Sequence, residues 1–118
     1  MYRVEVPSLP PSLNKFYAGM HYRKRKEYAD EWHGLFLGAF REAGIPRPLP
    51  YPITLDVTQF SCPERDCDNS VISAKFALDA LVGGGWLPDD SPEYVRCVVL
   101  HSARCDTKRK NKTVILIL

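Results

Sequence analysis

The residues equipped for chemistry gather between positions 65 and 90. Arg65-Asp66-Cys67-Asp68-Asn69 is followed by Lys75, Asp79 and the pair Asp89-Asp90. In an extended segment Asp66 and Asp68, two positions apart, point the same way. Like charges on one face repel, and a cation or a proton between them removes that cost. Oxygen-only ligands suit a hard ion, Mg²⁺ with Mn²⁺ as its substitute. A carboxylate-held Mg²⁺ beside a positively charged surface fits phosphodiester chemistry. Taken singly, the same residues have structural uses. Asp68 is a helix N-cap, Asp79 an ion-pair partner, and Asp89-Asp90-Ser91-Pro92 a turn.

These groups need elements to position them. Tyr2, Val4 and Val6 alternate with Arg3 and Glu5, predicting a short strand. The proline-rich stretch from Pro7 to Asn14 reads as a loop. The spacing of Tyr28, Trp32, Leu35, Phe36, Ala39 and Ala43 predicts a helix over about 23–43, stopped at Gly44 and kept from restarting by prolines 46, 48, 50 and 52. Residues 53–60 alternate strictly and predict a half-buried strand leading straight into the acidic motif. A second helix follows over about 69–82, with Asp68 as its cap and Gly83-Gly84-Gly85 as its end. At about 100° per residue, Asp68, Lys75 and Asp79 fall on one stripe, with Lys75 and Asp79 spaced to pair. Residues 94–101 and 112–118 predict two last strands, joined by a basic loop as an antiparallel hairpin. The order β-α-β-α-β-β implies one α+β domain over 1–118: a small mixed or antiparallel sheet carrying two packed helices.

The chain has 118 residues and a net charge of only +2, but its cations are clustered. Arg23-Lys24-Arg25-Lys26 is one run; Arg104, Lys108, Arg109, Lys110 and Lys112 form another. Such patches attract polyanions at small net charge, and their structural alternative is a solvated surface. No run approaches the ~20 apolar residues of a membrane span, and no signal peptide is evident. A cytoplasmic location is expected, with Cys62, Cys67, Cys97 and Cys105 as reduced thiols.

Pro10-Pro11-Ser12-Leu13-Asn14-Lys15-Phe16-Tyr17, Arg65-Asp66-Cys67-Asp68-Asn69, Lys75-Phe76-Ala77-Leu78-Asp79-Ala80-Leu81 and Trp86-Leu87-Pro88-Asp89-Asp90-Ser91 together resemble the RusA family of Holliday junction resolvases. The motifs occur in the family's order across most of the chain. The resemblance implies a RusA-like fold and a homodimer that nicks four-way DNA junctions with Mg²⁺ or Mn²⁺. It implies Asp66, Asp68 and Asp90 as metal ligands and Lys75 as the essential basic residue, these four being the catalytic set. Lys75 stands six positions after Asn69, so its spacing to Asp79 and Asp90 anchors the match. Asn14 matches the N-terminal motif. Asn14, Lys15, Arg23, Lys24, Arg25, Arg65, Lys108, Arg109 and Lys110 are the expected DNA contacts. No organic cofactor is called for.

Three other readings stand beside this one. The four cysteines with His101 could form a zinc site, although Cys62-x4-Cys67 and Cys97-x7-Cys105 are not common zinc spacings. The same fold could bind DNA as a regulator without cutting it. A nuclease of this fold could act on flaps or forks.

Overall fold

The computed structural model describes residues 1–118. Strand β1 (Tyr2–Val6) is followed by helices α1 (Leu13–Ala18) and α2 (Tyr22–Glu42), strand β2 (Ile53–Ser61), helix α3 (Ser70–Gly83), and strands β3 (Val95–Arg104) and β4 (Lys112–Ile117). Short 3-10 turns lie at Cys67–Asn69 and Lys108–Lys110. No helix is long and apolar enough to cross a membrane.

The sheet is mixed and its strand order is β1-β4-β2-β3. β4 runs antiparallel to both neighbours, while β2 and β3 are parallel. The expected β3–β4 hairpin is therefore absent. β2-α3-β3 is instead a crossover unit, the form a helix-length connection between parallel strands takes. The last strand then slots between β1 and β2, because its apolar residues fill the centre of the sheet better than an edge.

β2 alternates buried and half-buried residues along its whole length, as its sequence requires. Leu55 and Val57 face the helices, and Ile115 joins them from β4 in the same rows. Phe36 and Phe40 from α2, Phe76, Ala77, Ala80 and Leu81 from α3, and Trp86 close this core. The opposite face of the sheet carries Arg3, Glu5, Asp56, Thr58, Phe60 and His101, none of them buried.

Three local expectations change. α2 buries Trp32, Phe36 and Phe40, whereas Leu35 is 41% exposed, so the apolar stripe is rotated from the one the spacing suggests. The stretch before it holds α1, capped by the Ser12 side chain, which accepts from the Lys15 amide. The C-terminal run 114–118, apolar on both faces in sequence, would call for cover from a second subunit; Val114, Ile115 and Ile117 are instead all buried within a single chain, so β4 by itself supplies no such reason.

Candidate active site

The acidic motif leaves the carboxyl end of β2, and the crossover into α3 fixes its path. Asp66 is extended, while Asp68 sits inside the 3-10 turn. The extended geometry that would align the two carboxylates does not hold past Asp66. Asp68 does not cap α3 either; Asn69 takes the position before Ser70, without a side-chain capping bond.

Asn69 works across the chain instead. Its Oδ1 accepts the Leu13 amide at 2.8 Å and its Nδ2 donates to the Asp66 carbonyl at 3.1 Å. Arg65 reaches in the same direction, donating from its guanidinium to the Pro10 carbonyl at 2.8 Å. The N-terminal motif is thus docked onto the acidic motif by two bonds between residues more than fifty positions apart. Burial lowers the Arg65 pKa from its ordinary value. Its guanidinium is occupied inside the protein, a use the sequence did not suggest for an expected DNA contact.

Polar side chains, most of them buried, secure the same turn from below. Ser61 Oγ accepts the Arg65 amide at 2.9 Å, and Ser102 Oγ donates to the Arg65 carbonyl at 2.6 Å. Gln59 Nε2 donates to the Asn69 carbonyl at 3.2 Å and to Ser73 Oγ at 3.0 Å. Ser70 Oγ donates to the His101 carbonyl at 2.6 Å, and Cys67 Sγ to the Leu100 carbonyl at 3.0 Å. Gln59, Ser61, Ser70 and Ser73 are all fully or nearly buried. Sequence reasoning missed this group. Its signal was available: Gln59 and Ser61 occupy inward positions of an alternating strand, where apolar residues are the rule. The Gln59 Oε1 atom is buried without a partner.

The carboxylates themselves are left free. Asp66, Asp68 and Asp90 are exposed, and none of their side-chain oxygens accepts a hydrogen bond or an ion pair. Lys75, Asp79 and Asp90 line one cavity of about 300 Å³ with Val71, Ala74, Leu78, Val98 and Leu100. The loop after α3 therefore returns Asp90 to the helix, as its glycine-rich turn suggested. Lys75 and Asp79 do not form an ion pair, so the ammonium has no carboxylate within 4.0 Å. Asp66 and Asp68 do not line that cavity. No group of three or more His, Cys, Asp or Glu residues is placed to hold a metal ion.

The expected DNA contacts are scattered more widely. Asn14 and Lys15 lie exposed on α1, which Asn69 ties to the acidic turn. Lys108, Arg109 and Lys110 form the 3-10 turn before β4 and are exposed. Their loop springs from the same end of the sheet as the acidic motif. The Cys105 amide donates to the Ser61 carbonyl at 3.2 Å, and the Cys62 amide to Asn111 Oδ1 at 3.1 Å. Arg23, Lys24 and Arg25 begin α2, where the Lys24 ammonium stands 5.5 Å from the Tyr28 ring centre. The thiols do not converge: Cys62 and Cys105 flank Asn111, Cys67 points at Leu100, and Cys97 is exposed on β3.

The donor chemistry fits a hard ion in part. Free, exposed carboxylates are what Mg²⁺ takes, and it is commonly bound by one or two of them, with waters and substrate phosphates completing its shell. Asp66 and Asp68 are free and exposed, as such binding requires, but a three-carboxylate cage is not assembled. No protein-family model matches this chain, and no curated protein sequence matches it.

Proposed function

We propose that this chain is a Mg²⁺-dependent endodeoxyribonuclease of the RusA kind, acting on branched DNA and, as a homodimer, on four-way junctions. The observation that carries this reading is the contrast within the acidic turn. Its backbone is held by Ser61, Ser102, Gln59 and Asn69, yet Asp66 and Asp68 keep their carboxylates unengaged. A rigidly supported backbone presenting free charges is the arrangement a preorganised site needs.

In this reading Asp66 and Asp68 hold the ion. An ion held there would supply Lewis-acid polarisation of the phosphate and acidification of water. Asp90, beside Lys75 in the neighbouring cavity, is the third carboxylate of the resemblance. Lys75 is free of any carboxylate partner, so its full charge is available to a scissile phosphate. The loop carrying Lys108, Arg109 and Lys110 leaves the same sheet end and holds the strand by its backbone, a contact that reads charge and shape rather than base sequence. Two-fold pairing of subunits matches two strands of like polarity.

One observation favours the reading of a DNA binder that does not cut: the three carboxylates fail to gather. A single experiment separates the two. Four-way, forked and linear duplex DNA are incubated with the wild-type chain and with Asp68→Asn, each with and without Mg²⁺. The nuclease reading expects Mg²⁺-dependent nicking of the branched substrates, lost in Asp68→Asn while binding persists. Tight binding without nicking under every condition establishes the non-cutting protein instead.

A further inference from the structure

A second cavity, of about 430 Å³, opens at the carboxyl ends of β2 and β3. Phe60 and Pro7 supply its apolar surface, and Arg104, Arg109, Lys110 and Lys112 bring four cations against the single carboxylate of Asp106. Two of those cations are already engaged. Lys110 pairs with Asp106 at 3.0 Å and Lys112 with Glu5 at 3.2 Å. Arg104 and Arg109 have no carboxylate within 4.0 Å. The Lys112 ammonium also stands 5.0 Å from the centre of the Phe60 ring.

We infer that this cavity binds an unpaired nucleotide of a nucleic-acid strand, with its phosphate on Arg104 and Arg109 and its base against Phe60. The volume lies in the range of small-ligand sites, about 300–1,000 Å³. A duplex brings phosphates to the rim of such a recess but keeps its bases stacked inside the helix. An unpaired nucleotide fills both halves of the site, the cationic and the aromatic. That pairing of a positive groove with an aromatic surface is how single strands are held without base-specific contacts. Guanidinium groups free of internal partners are the better phosphate donors, because binding breaks no existing ion pair.

The placement gives the site a use. The two loops that frame the acidic turn and this cavity are joined through Ser61–Cys105 and Cys62–Asn111. A strand that leaves its partner near the acidic turn finds the recess beside it. The inference rests on the nucleic-acid reading of the basic loop and extends it from backbone grip to recognition of unpaired strand. It does not require cleavage.

The test is binding without divalent metal. Fluorescence anisotropy is measured with labelled pentathymidylate and with a blunt duplex of ten base pairs, for the wild type, Phe60→Leu and Arg104→Gln. Loss of one base–aromatic contact weakens the oligothymidylate by about tenfold in Phe60→Leu and leaves the duplex within about twofold. Arg104→Gln weakens the oligothymidylate more than the duplex. If Phe60→Leu loses its native circular dichroism, Arg104→Gln carries the same comparison. Absence of saturable oligothymidylate binding by the wild type overturns the proposal, as does equal loss for both DNAs. Branched-DNA nicking with no single-strand preference would leave the nuclease reading standing and remove this one. Single-strand preference with no nicking would do the reverse.

Discussion

Replacing Asn69 with alanine tests the coupling between the two motifs directly. The substitution removes the acceptor of the Leu13 amide and the donor to the Asp66 carbonyl. Hydrogen bonds of this kind contribute about 0.5–1.5 kcal/mol each, so the expected loss is about 2 kcal/mol. For a chain of 118 residues, the entropy of unfolding at the midpoint is on the order of 0.25 kcal/mol/K, which converts that loss to a fall in Tm of about 8 °C. Asn69→Asp keeps the Leu13 acceptor but loses the donor and turns a carboxylate oxygen toward the Asp66 carbonyl, so its Tm is expected to fall as well. Thermal melts by circular dichroism give the first readout. Hydrogen exchange gives the second: the Leu13 amide should lose protection in Asn69→Ala and retain it in Asn69→Asp. Unchanged Leu13 protection in the alanine variant, together with an unchanged Tm, would refute the docking of the N-terminal segment on the acidic turn.

Further outcomes follow from other parts of the fold. At Gly84 an added Cβ would lie 2.2 Å from the Trp86 ring and 2.8 Å from Leu37; Gly84→Ala should cost about 1–3 kcal/mol in urea unfolding, as overpacking does. Trp86→Phe removes the 2.9 Å bond from the indole to the buried Ile45 carbonyl, and the orphaned acceptor should cost about 1–3 kcal/mol. Hydrogen bonding from Arg3, then from Lys112, holds the Glu5 carboxyl below its ordinary range. A lowered folded pKa stabilises the native state above the unfolded value and loses that contribution as pH falls through the folded one. Glu5→Gln should therefore differ from wild type at neutral pH and converge with it in acid, and since Glu5 is 41% exposed the difference should be small and shrink with salt. Replacing Lys108, Arg109 and Lys110 together by glutamine should shallow the log–log salt dependence of DNA binding by about 2–3 units, if all three meet phosphates.

Much of the architecture is written locally. Strict alternation marks β2, and the shift from period two to helical spacing at Asn69 marks α3. Gly85, at φ +82°, ends the turn after α3 where only glycine is at ease. The partnership of strands is different, because β4 finds β1 more than a hundred residues away. Nothing in residues 112–118 announces that they enter between two earlier strands; proximity in sequence argued for β3 instead. The site divides the same way. Lys75, Asp79 and Asp90 line one cavity: the helical spacing of the first two is legible, while the return of Asp90 is set by the loop after α3. The role of Asn69 toward Leu13 is a long-range contact with no local trace, and Asp68 leaves the helix stripe because a 3-10 turn precedes α3.

The central position of β4 also bears on how the chain reaches its native state. β2, α3 and β3 are contiguous and can close their parallel crossover before the rest of the sheet exists. β1 has no neighbour other than β4, so the first strand made must wait for the last. During synthesis it is held from pairing until residues 112–117 have emerged, and loop closure of that length slows folding relative to a sheet built from neighbouring hairpins. A lesion in residues 112–117 consequently reaches far along the sequence: it unseats β1 and uncovers the inner edge of β2 in one event, adding newly open strand edges to the outer edges of β1 and β3 that the native sheet already has. Such edges pair with other chains, which makes the final strand the point at which slow completion turns into aggregation.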